Sequence, residues 1–405
     1  MTARRRVNVV NVVIGAAFCL LVVLLQSAPA QVNGPKFGDP LPGLLPAEFE
    51  RFRVGLDDFV EVETAEEGLG PAFNAASCAV CHNVPAIGGT SLVSEVRAAY
   101  RDENGEIHKL TAPDGSELDT LYHLFSNPPH GCQPVMPPEA NIIARRVPIP
   151  VFGAGLVEAI ADETILALED PDDRNADGIS GRAARVVDIG TGRVRIGRFG
   201  WKAQHATLRT FAADAYRNEM GITNELFPDE TAAGVSAAHM KQCDPTPDPE
   251  DVADFRTRLA AIDNFEAFMK FLAPPPRGTI DQSARDGEQI FNAIGCAACH
   301  VPVLPTAPNA HPLFSRKAVP LFSDLLLHDV GTGDHIPQAS ARPNELRTPS
   351  LWGLRVRRPL LHDGSASTAE EAVARHHGEA EGVRRRFDQL SAAQRSALIA
   401  FLNSL

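Results

Sequence analysis

Four of the seven cysteines in this 405-residue chain fall in two Cys-x-x-Cys-His runs, and no other feature restricts its fold so sharply. The runs are Cys78-Ala79-Val80-Cys81-His82 and Cys296-Ala297-Ala298-Cys299-His300. This spacing is the one used for covalent c-type haem attachment. Two thiols on one helical turn add to the two vinyl groups of a porphyrin, and the histidine that follows lies beneath the ring and ligates iron. A zinc ribbon also pairs such motifs, but roughly 15–20 residues apart, whereas these sit in opposite halves of the chain. A thioredoxin-like redox pair needs a βαβ context, which the sequence does not offer.

The two runs belong to an internal repeat. Phe73-Asn74-Ala75-Ala76-Ser77 leads into the first and Phe291-Asn292-Ala293-Ile294-Gly295 into the second, and seven of the ten aligned positions are identical. A repeat this widely spaced predicts two homologous units rather than a solenoid. The expected fold is therefore mainly α: two cytochrome c-like helical haem domains, residues 31–277 and 278–405, the first enlarged by an insertion. A helix is predicted from about Asp248 to Leu272, with Asp248 as N-cap, Pro249 at the first helical position, and Val252, Phe255, Leu259, Ile262, Met269 and Leu272 on its inner face. Pro274-Pro275-Pro276 stops it. A last helix is predicted with Ser391 and Gln394 as a capping box and Leu398, Phe401, Leu402 and Leu405 facing inward.

Residues 1–30 read as a secretory signal peptide: Arg4-Arg5-Arg6, an apolar stretch from Val7 to Leu25, and Ala28-Pro29-Ala30 at the cleavage point. An uncleaved membrane anchor is the alternative, and both place the body of the protein outside the cytoplasm, in the periplasm. No other stretch is long and apolar enough to span a bilayer. The formal charge is −13 and becomes −16 without the leader, which excludes nucleic acid as a partner. In an oxidising compartment the two remaining cysteines of the body, Cys132 and Cys243, are expected to form a disulfide. Asp173, Asn175 and Asp177 with Gly178 form the first half of a calcium loop, but Ala184 stands where the bidentate Glu belongs, so calcium and a metal-free Asx-rich turn both remain open.

Several stretches resemble the bacterial di-haem cytochrome c peroxidase superfamily, most nearly its di-haem oxidoreductase branch, also called thiol oxidoreductase. They are Gly68-Leu69-Gly70-Pro71-Ala72-Phe73-Asn74, Asp177-Gly178-Ile179-Ser180-Gly181-Arg182, Gly197-Arg198-Phe199-Gly200-Trp201-Lys202-Ala203, Asn218-Glu219-Met220-Gly221-Ile222-Thr223, Ser323-Asp324-Leu325-Leu326-Leu327-His328-Asp329, Leu346-Arg347-Thr348-Pro349-Ser350-Leu351-Trp352 and Leu361-His362-Asp363-Gly364. The resemblance covers about residues 50–405. It implies that peroxide binds at the N-terminal haem, with His82 as iron ligand, and that electrons from a small redox protein arrive through the C-terminal haem. It also makes Glu219 the acid that moves the peroxide proton and Trp201 the aromatic between the haems. The residue fourteen positions after His362, His376, becomes the second ligand of the iron held by His300, with His377 as its neighbour and rival. His328 and His362 are expected beside the haem rather than on the iron.

The chain departs from the pattern in two places. Phe211 stands where the peroxidases carry a distal Gln, and the sixth ligand of the first haem is open among His108, His123 and His130. Two further functions stay in view: a di-haem electron carrier without a substrate, and haem-dependent oxidation of a protein or organic substrate. A thiol chemistry finds no support, because no activated cysteine pair is left once the haems are attached.

Overall fold

The computed structural model describes residues 34–405 except 113–114, 116, 128–131 and 244–250. The leader, His130 and the Asp248–Glu250 cap lie outside the described residues. Helix α1 (Pro46–Val60) opens with Pro46 in its first turn, and the Glu48 carboxylate accepts the Leu45 N–H at 2.7 Å. α2 (Leu208–Met220) is capped by the Thr207 hydroxyl and ends on Gly221 at φ 65°, the left-handed position that glycine fills without strain. α1 crosses α3 (Ala261–Phe271) so closely that a Cβ on Gly55 would lie 2.0 Å from the Asn264 carbonyl oxygen. Around that crossing Phe59 and Phe268 pack with ring centres 4.8 Å apart, and Phe265 meets Tyr216 of α2 edge-on.

A second crossing closes the chain. α4 (Gln282–Ala293) is capped by Asp281 and packs on α5 (Ala392–Leu402), with Phe291 against Phe401 at 5.2 Å. The Ser391–Gln394 capping box is present, and Leu398, Phe401, Leu402 and Leu405 are buried as predicted. These residues form a hydrophobic cluster of their own with Phe322, Leu351, Leu354 and Phe387. The larger cluster around α1, α2 and α3 also takes in Leu304, Phe314, Leu321 and Trp352 from the second half.

Two sequence expectations need correction. The chain is mixed rather than mainly α, about 30% helical and 15% strand. The largest sheet centres on β1 (Glu95–Arg101), antiparallel to β2 (Ile142–Arg146) with Glu95 opposite Arg146, and flanked by the Leu121–Tyr122 and Ile107–His108 strands. The predicted 248–272 helix begins only at Ala261. The Asp254 carboxylate accepts the Arg256 and Thr257 N–H groups, and Arg258 turns left-handed at φ 62°, so a turn occupies the ground the helix would need. Val252 and Phe255 are consequently exposed, whereas Ile262, Met269 and Leu272 are buried as expected.

Cys132 and Cys243 are joined, with Cα atoms 5.9 Å apart, inside a small cluster with Ala72, Val235 and Met240. Among the described residues no helix is long and apolar enough to cross a membrane.

Candidate functional site

Each Cys-x-x-Cys-His run forms the wall of one large cavity. In the first, Ser77 caps the short Cys78–Cys81 helix and the chain then turns to present His82. The His82 Nδ1 donates to the Gly89 carbonyl at 2.8 Å. In the second, Gly295 at φ 94° turns α4 into the Cys296–Ala298 turn, and His300 Nδ1 donates to the Phe322 carbonyl at 3.1 Å. His376 lines this second cavity too, its Nδ1 donating to the Ala372 carbonyl at 2.7 Å. A carbonyl can only accept, so all three rings carry the proton on Nδ1 and keep the Nε2 lone pair free, the tautomer required of an imidazole that ligates a metal through Nε2. Burial keeps all three neutral, lowering His82 and His376 and taking His300 to about 4.

The cavities enclose about 1450 Å³ at the second run and about 1180 Å³ at the first, mouths included. The second is largely apolar but contains Arg347 and Arg357. Arg347 is buried and Arg357 partly so, and among the described residues neither has a carboxylate within ion-pair distance: Arg347 donates to the Gly200 and Thr348 carbonyls and Arg357 to that of Ser350. Burial, with Arg357 repelling Arg347 and Arg358 repelling Arg357, lowers each to about 10. Two cations without an ion-pair partner in an apolar chamber, Arg347 feeling the Asp324 charge only from further off, fit a ligand that brings its own negative charge, as the two propionates of a haem do. With paired thiols and Nε2-free histidines at hand, the residues of both cavities fit that group.

Trp201 lines both cavities, together with the Val147-Pro148-Ile149 segment. Its Nε1 donates to the Val147 carbonyl at 2.8 Å. The Val147 N–H in turn donates to the His362 carbonyl at 2.7 Å, and the His362 ring meets Trp201 edge-on at 6.2 Å. His328, in the second cavity, has both ring nitrogens taken: Nε2 by Asp324 at 2.9 Å and Nδ1 by Glu379 at 2.8 Å. Burial opposes its charge, but the two carboxylates outweigh burial and hold it as an imidazolium, with no lone pair for a metal. His377 is more than half exposed and pairs with Glu381.

The first cavity has a different polar wall. Glu219, at the end of α2, accepts from the Asn74 amide at 2.8 Å, while its own carbonyl accepts the Asn74 and Ala75 N–H groups. This ties the acid to the segment that leads into the first run. Burial and the nearby Glu95 push Glu219 up to about 8. Phe211 lines the cavity where an amide was missing from the sequence, yet Gln204 lines it as well. His108 pairs with Asp102 away from the cavity, and His123 is buried with its Nε2 against the Asn218 carbonyl. Among the described residues His82 is the one histidine on this wall.

Sequence reading overlooked Glu95, Arg97, Arg146 and Gln204 in the first cavity and Arg347 and Arg357 as a pair in the second. The one signal for Gln204 was an amide three residues after Trp201. The Asp173, Asn175 and Asp177 side chains lie on an exposed loop, where they accept the N–H groups of Gly178, Asp177 and Ile179 in that order. That loop touches neither cavity through these three residues.

A family described as "Di-haem oxidoreductase, putative peroxidase" matches residues 138–405. The methylamine utilization protein MauG of Methylophilus methylotrophus is 28% identical over 163 residues, which is 38% of this chain and 45% of that protein. The chain thus spans less than half the length of this relative. Among solved structures, the hydrazine synthase of Kuenenia stuttgartiensis aligns over 100% of both chains at 12% identity and a TM-score of 0.41. The di-haem peroxidase BthA of Burkholderia thailandensis aligns over 51% of this chain and 65% of its own at 16% identity and a TM-score of 0.30. The family match covers most of the chain and takes in the second Cys-x-x-Cys-His run with Trp201 and His376: the chain belongs to the di-haem oxidoreductases.

Proposed function

We propose that this is an exported di-haem c-type cytochrome that reduces peroxide at its first haem with electrons received through its second. Cys78 and Cys81 would bind one porphyrin by thioether bonds and Cys296 and Cys299 the other, in two haem-binding halves, residues 31–277 and 278–405. His82 would ligate the first iron, and His300 with His376 the second. When bound, the haems would supply redox-active iron, for peroxide reduction in the first cavity and for one-electron relay in the second.

The observation that carries this reading is the asymmetry of the two cavities. One presents two imidazoles, His300 and His376, whose Nδ1 atoms are tied to carbonyls and whose Nε2 atoms are free, with the His362 ring beside them; the other presents a single imidazole and a wall of acid, amide and guanidinium groups. A doubly ligated iron suits electron transfer, and a singly ligated one leaves room for a small oxidant. The overall conversion is H2O2 with two electrons and two protons to two waters. Glu219 holds a proton for it, and Asn74 fixes the carboxyl in place. Gln204 adds an amide to the same wall. Trp201, clamped to Val147, stands in the partition that an electron must cross. A bis-histidine second haem has a lower potential than one with a Met ligand, because Met ligation raises it. The acidic body, at −16 without its leader, suits a small basic cytochrome as donor. The Asp173 loop enters this proposal as an Asx turn and not as a calcium site.

The test is turnover and spectrum together. Holoprotein supplied with a reduced small cytochrome should consume peroxide, and Glu219→Gln should lower kcat by roughly 100-fold or more. Resting ferric protein should show one high-spin and one low-spin iron. Two low-spin irons indifferent to cyanide, with no turnover, would leave an electron carrier in its place.

A further inference from the structure

Peroxide reduction needs protons at a buried place, and a role for Glu95 in supplying them rests on that proposed function. Glu95 enters the first cavity from β1 and lies before the region that the family match covers. Arg97 grips both of its carboxylate oxygens in a fork, Nε to Oε1 at 3.0 Å and Nη2 to Oε2 at 2.9 Å. Arg146, directly across the sheet, brings Nη1 to 3.7 Å from Oε1. Glu219 of α2 lines the same cavity, and the two carboxyl groups stand near enough that each acts on the other's charge.

Two carboxylates in one buried cavity repel each other when both are ionised, so the pair favours a proton on one of the two. The guanidinium fork decides which. Arg97 and Arg146 hold Glu95 ionised, while Glu219 has an Asn74 amide and, among the described residues, no guanidinium within ion-pair distance; the Arg97 charge reaches it from further off and opposes, without overcoming, burial and Glu95. The outer groups leave this balance in place. Asp119 takes another nitrogen of Arg97 at 3.1 Å, Asp334 engages Arg146 at 2.7 Å and Lys202 at 3.0 Å, and Asp214 pairs with His205 at 2.9 Å and lies 3.7 Å from Arg217.

We infer that Glu95 is a positioning residue that keeps the Glu219 carboxyl protonated, so that Glu219 serves peroxide as a proton donor. The proton leaves Glu219 for the departing oxygen as the O–O bond breaks, and two electrons from the external reductant and one proton from solvent complete two waters. The carboxylate left behind is protonated again from solvent, a step that the negative charge of Glu95 favours.

Infrared difference spectra of the holoprotein, taken against Glu219→Gln in H2O and D2O, test this without relying on turnover. Wild type should show the C=O stretch of a protonated carboxyl at neutral pH, titrating away near pH 8. Glu95→Gln should move that loss to lower pH by more than about one unit, and Glu95→Asp, which keeps the charge, should move it less. The alkaline limb of kcat against pH should follow the band in each variant that retains its Soret absorption. A wild-type protein with no such band at neutral pH, or a band whose titration ignores Glu95→Gln, overturns the inference even if peroxide is consumed. A band that behaves as described in a protein that consumes no peroxide supports the carboxyl pair and removes the peroxidase reading instead.

Discussion

Arg347 and Arg357 illustrate how one side chain can change sign in its effect on stability. Without an anion beside it, a buried guanidinium is a liability; with a propionate, it becomes half of a buried pair. Arg347→Met should therefore leave the haem-free chain as stable or more stable, and should cost the loaded protein roughly 3–5 kcal/mol. Thermal unfolding of both forms checks this, and an equal effect on the two would refute the assignment. Glu219 carries a second residue-scale prediction. Its folded pKa lies above its ordinary value of 4.5, at about 8. The protonated form is favoured by the fold, so its contribution is fully present below about pH 4.5 and lost as pH rises through about 8. The stability of Glu219→Gln relative to wild type should accordingly rise with pH across that window. These residues were unequally visible in the sequence. His376 is reached by counting from His362, because the chain between them runs through one loop and one short helix. Glu95 looks like any solvated charge until Arg146 is brought opposite it by the sheet.

At the scale of elements, close helix crossings organise both cavities. A Cβ on Gly287 of α4 would lie 2.0 Å from the Ala397 carbonyl of α5. Gly287→Ala should push the helices apart at a cost of about 1–3 kcal/mol. Because Phe291 and Leu398 both line the second cavity, the Soret band should broaden and the low-spin signal of that haem should weaken, while the first haem is left alone. The capping box of α5 was legible from Ser391 and Gln394, since capping is a local matter. The start of α3 was not, because Asp254 has a turn to offer that competes with helix. β1 escaped for another reason: Val96, Arg97, Ala98 and Ala99 are all buried, so covering on both faces erases the alternation by which a strand is usually recognised.

For the whole molecule, the two Cys-x-x-Cys-His runs foretold two cavities but not how one is made unlike the other. That difference comes from residues distant in sequence, and only the folded chain gathers them. The disulfide between Cys132 and Cys243 closes a 111-residue span that includes β2, Trp201 and all of α2. Reducing it should destabilise the protein by about 2–5 kcal/mol, measured by denaturant unfolding with and without reductant. The acidic body makes a further prediction for the donor. Electron delivery from a basic cytochrome should slow as ionic strength rises, and a rate unchanged from low to high salt would remove charge steering from the account.

The Val147 peptide carries a consequence of its own. Its carbonyl anchors an indole and its amide anchors the main chain at His362, so a single residue is mortared into the partition on both sides. Neither chamber can then resettle around its contents in private: a shift of this strut on one side is delivered to the other without any large rearrangement between them.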